Sequence, residues 1–314
     1  MRKGLVIKST GSWYNVLFED RTTMPCRIVG KFRLNGKSLT NPVAVGDEVQ
    51  VEKEVKEDVG NIVKILPRKN YIVRQSPRKK HYLHLIASNV DQAVVVMTII
   101  EPMLKQGFID RFILMAESHK VPCIVVFNKL DVYGEDEMLM ANYFKKMYED
   151  IGYPTHIVSA LRGDGIDELR EVMLNKTTLV SGQSGVGKST LLNAILPELE
   201  LRTFELSEAS GKGQHTTTFV QMYTRDEDQS RIIDTPGIKN LSFNNLEPTD
   251  VAHNFVEFFT ASKDCKFDDC SHINEPKCAV KDGLEDGSIS ELRYGNYLKI
   301  VAEIEDQNYW ERHS

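Results

Sequence analysis

Apolar residues in the first 70 positions fall in short runs that loosely alternate with polar ones: "GLVIKS", "WYNVLFE", "MPCRIVGKF", "DEVQVEKE" and "GNIVKILP". A period of two places alternate side chains on opposite faces, as in half-buried strands. Gly11, Gly30, Asn35-Gly36, Gly46-Asp47 and Gly60-Asn61 separate the runs and supply turns. Short strands this closely spaced, with no helical stretch between them, predict an OB-fold β-barrel over residues 1–70. Another small antiparallel sandwich is the competing arrangement.

From about residue 90 the rhythm changes. Continuous apolar runs ("QAVVVMTII", "CIVVFN", "THIVSA", "TTLVSG", "FVQMYT", "SRIIDT") alternate with stretches of helical period ("IDRFILMAESH", "DEMLMANYFKKMYEDIG", "GIDELREVML"). Strands apolar on both faces and interleaved with helices predict a doubly wound parallel sheet. This α/β domain is expected over residues 71–240, including a basic linker, "RQSPRKKHYLH", at 74–84. The remaining 241–314 carry helical patterns at "PTDVAHNFVEFFTAS" and "SISELRYGNYLKIVAEIEDQ" around a cysteine cluster, which predicts a helical C-terminal domain.

Composition changes this picture little. With 314 residues, 41% hydrophobic and 27% charged, the chain is expected to fold throughout rather than stay disordered. No run approaches the ~20 apolar residues of a membrane span, and the N-terminus turns polar too early for a signal peptide, so a cytoplasmic protein without a membrane partner is expected. A net charge of −6 excludes bulk attraction to nucleic acid and leaves only local basic patches. Arg78, Lys79 and Lys80 are the candidates in the linker, and Trp13 and Tyr14 in the barrel are candidates for base stacking.

The chemistry sits in the middle domain. "GQSGVGKST" (Gly182, Gln183, Ser184, Gly185, Val186, Gly187, Lys188, Ser189, Thr190) follows an apolar strand and opens a helix. That is the pattern of a phosphate loop: glycines turn backbone N–H groups toward phosphate oxygens, Lys188 reaches the β- and γ-phosphates, and Ser189 offers a hydroxyl to Mg²⁺. In "IIDTPG", Asp234 ends another strand and is placed to hold Mg²⁺ through water, with the Gly237 N–H toward the γ-phosphate. Asn128, Lys129, Leu130 and Asp131 form an N-K-x-D tetrad after "CIVVF". A carboxylate at Asp131 accepts both N1–H and N2–H₂ of guanine, a pair that adenine lacks, and the Lys129 stem can cover the base. Ser159-Ala160 follow the next strand, where a backbone N–H can meet the guanine O6. The order is unusual, because the tetrad precedes the phosphate loop. Loops at the carboxyl ends of parallel strands meet in space whichever strand comes first, so the order points to a circularly permuted P-loop GTPase domain. In the tail, Cys265-x4-Cys270-x-His272-x5-Cys278 is a complete three-thiolate, one-imidazole set for a closed structural zinc site.

A permuted GTPase behind a small barrel and ahead of this Cys/His spacing resembles the RsgA (YjeQ) family of bacterial ribosome small-subunit biogenesis GTPases. The resemblance covers nearly the whole chain. It implies GTP hydrolysis stimulated by the 30S subunit during late maturation, contact with 16S rRNA, GTP and GDP as ligands, Mg²⁺ and one Zn²⁺ as cofactors, and action as a monomer. Within "SGKGQHTTTF" it implies Thr217 as a second Mg²⁺ ligand and, in its G-x-H-T-T pattern, His215 as the group that positions water, since Ile238 stands where many switch GTPases carry glutamine. The competing reading is a nucleotide-gated rRNA-binding module in which hydrolysis is incidental. A metabolic phosphotransferase would leave the tetrad and both flanking domains without a purpose.

Overall fold

The N-terminal runs become β1 (Arg2–Ser9), β2 (Trp13–Phe18), β3 (Thr23–Ile28), β4 (Glu48–Lys53) and β5 (Gly60–Ile65). They pair in the order β1-β2-β3-β5-β4, and β4 returns to β1, which closes a five-stranded barrel of OB topology. Alternate residues (Val6, Tyr14, Val16, Phe18, Cys26, Val49, Val51, Ile62) fill its interior. The structure is a computed structural model that describes residues 1–28, 41–54, 58–75, 83–197, 219–225, 227–235, 241, 243 and 246–313.

The expected linker is partly strand. β6 (Tyr71–Gln75) and β7 (Leu83–Ser88) form an antiparallel hairpin that takes in Arg74↔His84 and Gln75↔Leu83. The polar side chains there hide a pairing that backbone hydrogen bonds carry, once Ile72 and Val73 are buried against Leu85 and Ile86.

The central domain follows as β8 (Gln92–Met97), α1 (Gln106–Glu117), β9 (Cys123–Phe127), α2 (Glu135–Asp150), β10 (Thr155–Ile157), α3 (Ile166–Met173), β11 (Thr177–Gly182), α4 (Lys188–Ile195), β12 (Gln221–Thr224) and β13 (Arg231–Asp234). Its strand order is β10-β9-β8-β11-β13-β12. Neighbours are parallel except β12, which runs antiparallel to β13 because the residues joining them are too few for a crossover helix. One sheet face (Val95, Met97, Val125, Phe127, Leu179) belongs to the core that also holds α1 and the C-terminal helices. The other face (Val94, Val96, Ile124, Val126, Val180) packs with residues of α3 and α4. Burial on both faces is why these strands read as unbroken apolar runs. The barrel meets the central sheet at Lys8↔Gln221 and the β6–β7 hairpin at Val45, whose carbonyl accepts the Ser88 N–H at 2.9 Å.

The tail forms α5 (Pro248–Asn254), α6 (Val256–Ala261), α7 (Ala279–Glu285) and α8 (Glu291–His313). The single helix expected over 248–262 breaks at Phe255 (φ −90°, ψ 99°), whose buried ring packs on Phe258 and Tyr297. A polar cluster ties the tail to α1 and α2. Arg293 of α8 donates to Asp110 at 2.8 Å and to Glu257 at 2.6 and 2.9 Å. Tyr148 and Asn296 also donate to Asp110, at 2.9 and 2.7 Å. Among the described residues no helix is long and apolar enough to cross a membrane.

Candidate functional site

The carboxyl ends of β8, β9, β10, β11 and β13 open on one edge of the sheet, where ligand loops of a doubly wound fold gather. Gly182 ends β11 beside the Val96 carbonyl, so closely that a Cβ would collide with it. The loop then turns through Gly185 (φ 88°) and Gly187 (φ 80°) into α4, which begins at Lys188. At Gly187 a Cβ would also sit 2.6 Å from the Asn128 amide nitrogen, so glycine is required by both conformation and space.

That close approach comes with hydrogen bonds between the loops. Asn128, buried at the end of β9, donates from Nδ2 to the Val186 carbonyl (2.9 Å) and accepts the Ala160 N–H on Oδ1 (3.0 Å). One carboxamide therefore joins the phosphate loop, the tetrad and the Ser159-Ala160 loop, three segments far apart in sequence. Its last two residues, Leu130 and Asp131, lie in a short 3-10 turn over Leu130–Val132, entered through Lys129 in the left-handed region (φ 70°). Asp131 accepts the Ser159 hydroxyl at 2.5 Å, which holds its carboxylate at the mouth between the two loops. Lys129 is tethered by its Nζ to the Glu101 carbonyl. Across the sheet edge Lys188 is ion-paired with Asp234 at the end of β13, both nearly buried. The lysine that would meet phosphate and the carboxylate that would face a cation already lie side by side.

A second centre lies in the tail. The ligand atoms of Cys265, Cys270, His272 and Cys278 all fall within 4.8 Å of one another. Tetrahedral zinc with ordinary Zn–S bonds spaces its sulfurs about 3.8 Å apart, so the four donors stand close to the spacing that one such ion would need. Burial pushes the Cys278 thiol up and the Cys270 thiol up to about 12, while it pushes His272 down toward the neutral form that ligates. A cation among them would reverse the cost of the thiolates. The loop is braced by Glu275, which accepts Ser271 N–H (2.8 Å), Ser271 Oγ (2.6 Å) and Ile273 N–H (2.9 Å). Burial alone would raise its carboxyl, but these donors prevail and bring it to about 2. Tyr294 and Tyr297 of α8 donate to the His272 and Ser271 carbonyls at 2.7 and 2.6 Å.

The RsgA GTPase family matches residues 65–244, and the RsgA N-terminal domain matches residues 3–62. This chain belongs to the RsgA GTPase family. The "Small ribosomal subunit biogenesis GTPase RsgA" of Flavobacterium psychrophilum is 49% identical over 311 residues, covering 98% of this chain and 94% of that one. That of Christiangramia forsetii is 46% identical over 309 residues, covering 98% of each. Among solved structures, YjeQ from Thermotoga maritima superposes with a TM-score of 0.76 at 35% identity, over 96% of this chain and 98% of its own. YloQ, described as a circularly permuted GTPase, gives 0.72 at 30% identity, over 98% and 96%.

Against the RsgA pattern, the structure gathers Asn128, Lys129, Leu130, Asp131, Ser159, Ala160, the phosphate loop from Gly182 to Thr190 and Asp234 at one sheet edge. His215, Thr217, Gly237, Arg78, Lys79 and Lys80 lie outside the described residues. In the barrel, Tyr14 is buried in the core, so it has no face for a base, whereas Trp13 is exposed. The N-K-x-D motif places Asn128 in the guanine tetrad but carries no sign of its bridge to Val186. Tyr133 and the Arg293 cluster were missed as well, because an isolated tyrosine or arginine carries no spacing signal.

Proposed function

We propose that this RsgA-family chain is a Mg²⁺-dependent GTP hydrolase that binds the 30S ribosomal subunit and assists its late maturation, with turnover stimulated by the subunit. The observation that carries this is the Asn128 bridge, which locks a guanine-type tetrad to a phosphate loop despite their reversed order in the chain. Relatives that cover 98% of the chain are named for small ribosomal subunit biogenesis, which supports the partner.

In this reading Asp131 accepts the guanine N1–H and N2–H₂, Lys129 covers the base and the Ala160 region meets O6. Lys188 leaves Asp234 for the β- and γ-phosphates, cradled by the loop amides from Gly182 to Thr190. Ser189 and Thr217 would hold Mg²⁺, with Asp234 behind it through water and the Gly237 N–H at the γ-phosphate; the ion would supply neutralisation of the phosphate charge. His215 orients the attacking water. The Cys265, Cys270, His272 and Cys278 set holds one structural Zn²⁺, and contact with 16S rRNA falls to the barrel and to Arg78, Lys79 and Lys80. The domains divide at about residues 70 and 240, and the working unit is a monomer.

GTP turnover with and without purified 30S subunits tests this reading. Stimulation of several orders of magnitude is expected, on the scale of partner-activated GTPases, about 10⁵-fold at most. With subunits present, His215→Ala should lower kcat and leave GTP affinity nearly unchanged. Flat turnover together with nucleotide-dependent 30S binding would instead favour a gated rRNA-binding module.

A further inference from the structure

The loop that presents Asp131 owes its path to a residue outside the tetrad. β8 and β9 pair in parallel up to Met97↔Phe127, and their last direct rung is the Asn128 N–H on the Met97 carbonyl at 2.8 Å. A continued parallel ladder would next place the Ile99 N–H on the Asn128 carbonyl and the Leu130 N–H on the Ile99 carbonyl. Neither bond forms. The Ile99 carbonyl takes the Leu104 N–H at 3.0 Å, and Leu130 turns away to the Val158 carbonyl at 3.0 Å.

In the gap stands the hydroxyl of Tyr133. It accepts the Ile99 N–H at 3.0 Å and donates to the Asn128 carbonyl at 2.6 Å. One phenol oxygen thus replaces a rung and holds the two strands apart by its own width. Burial pushes this phenol up to about 12, so it stays protonated and able to donate and accept at once. The chain between the two anchored ends is short and closed. Val132 N–H returns to the Lys129 carbonyl (3.0 Å), Tyr133 N–H returns to Leu130 (3.2 Å), and the Tyr133 hydroxyl returns to Asn128. Asp131 rides on this ring, and the Asn128 whose carbonyl anchors it also grips Val186 and Ala160 through its side chain.

We infer that Tyr133 is a positioning residue for base recognition: its hydroxyl, wedged between the Ile99 amide and the Asn128 carbonyl, sets where the Asp131 carboxylate meets the guanine edge. This rests on the guanine reading of the tetrad proposed above. Without the hydroxyl, the amide and carbonyl either lose their partners or close directly on each other, and in both cases the turn carrying Asp131 shifts.

The test compares GDP with IDP, which lacks the 2-amino group that Asp131 would accept. Binding of each to the full chain is measured by displacement of a fluorescent GDP, for wild type and Tyr133→Phe. The substitution should weaken GDP binding about tenfold, the scale of one buried hydrogen-bonding site, and weaken IDP binding much less, so that the GDP-to-IDP preference shrinks. Equal losses for GDP and IDP, or no loss, would overturn the assignment. A wild-type chain with no preference for GDP over IDP would overturn the guanine reading instead. Amide exchange in the unsubstituted protein gives a second readout independent of the variant's folding. GDP should slow the Ile99 amide more than the Val95 amide within β8, and an Ile99 amide indifferent to GDP refutes the inference.

Discussion

At the scale of single residues, Asp131 and Asn128 divide the work of the tetrad. Asp131 is aimed by the Ser159 hydroxyl, whereas Asn128 is spent on holding loops together. An amide at position 131 would donate where the carboxylate accepts. Asp131→Asn should therefore shift preference from guanine to xanthine nucleotides by at least a factor of 10², the scale of a hydrogen-bonding site mismatched to its ligand. Competition binding with GDP and XDP checks it, and an unchanged preference would mean that Asp131 does not face the base. The tetrad was legible in the sequence because its chemistry is local, four adjacent residues at a strand end. The Asn128–Val186 bond was not, because 58 positions separate its partners and only the fold makes them neighbours.

Among the elements, the junction of α8 with α1 and α2 matters most. Arg293 is buried and shared by Asp110 and Glu257, and its guanidinium also lies 4.6 Å from the Phe255 ring centroid. Removing one member of a buried charge cluster leaves the others desolvated and unpaired, at a cost of about 3–5 kcal/mol. Arg293→Met should lower unfolding stability by that amount and loosen the tail from α1, which denaturant unfolding and amide exchange in α8 would register. Loss of less than about 1 kcal/mol would show that the cluster is solvated. Most elements were legible from periodicity alone: the barrel strands, β8 to β11, and the long helices. The misses are instructive. α7 spans only Ala279–Glu285, too short to show a period, and the Phe255 break and the β6–β7 hairpin depend on burial supplied by distant partners.

For the whole molecule, the zinc-type centre is tied to the central domain, since Tyr294 and Tyr297 hold the metal loop on the same helix whose Arg293 grips α1. Metal analysis of the purified chain should find one zinc per molecule. Cys278→Ser should reduce that to near zero and raise amide exchange across α7 and the start of α8, while GDP binding at the sheet edge persists; full metal content in the variant would remove Cys278 from the ligand set. Two kinds of information meet here. The sequence by itself determined the three-part architecture, the phosphate loop, the tetrad and the Cys/His set, because hydrophobic period and motif spacing are properties of neighbouring residues. Only the tertiary structure decided how those pieces engage one another: the strand order that returns a permuted chain to one ligand edge, the carboxamide that spans two loops, the hydroxyl that replaces a rung of the sheet, and the buried arginine that seats the tail. Each of these is a contact between residues remote in sequence, and such contacts exist only once the backbone has closed around them.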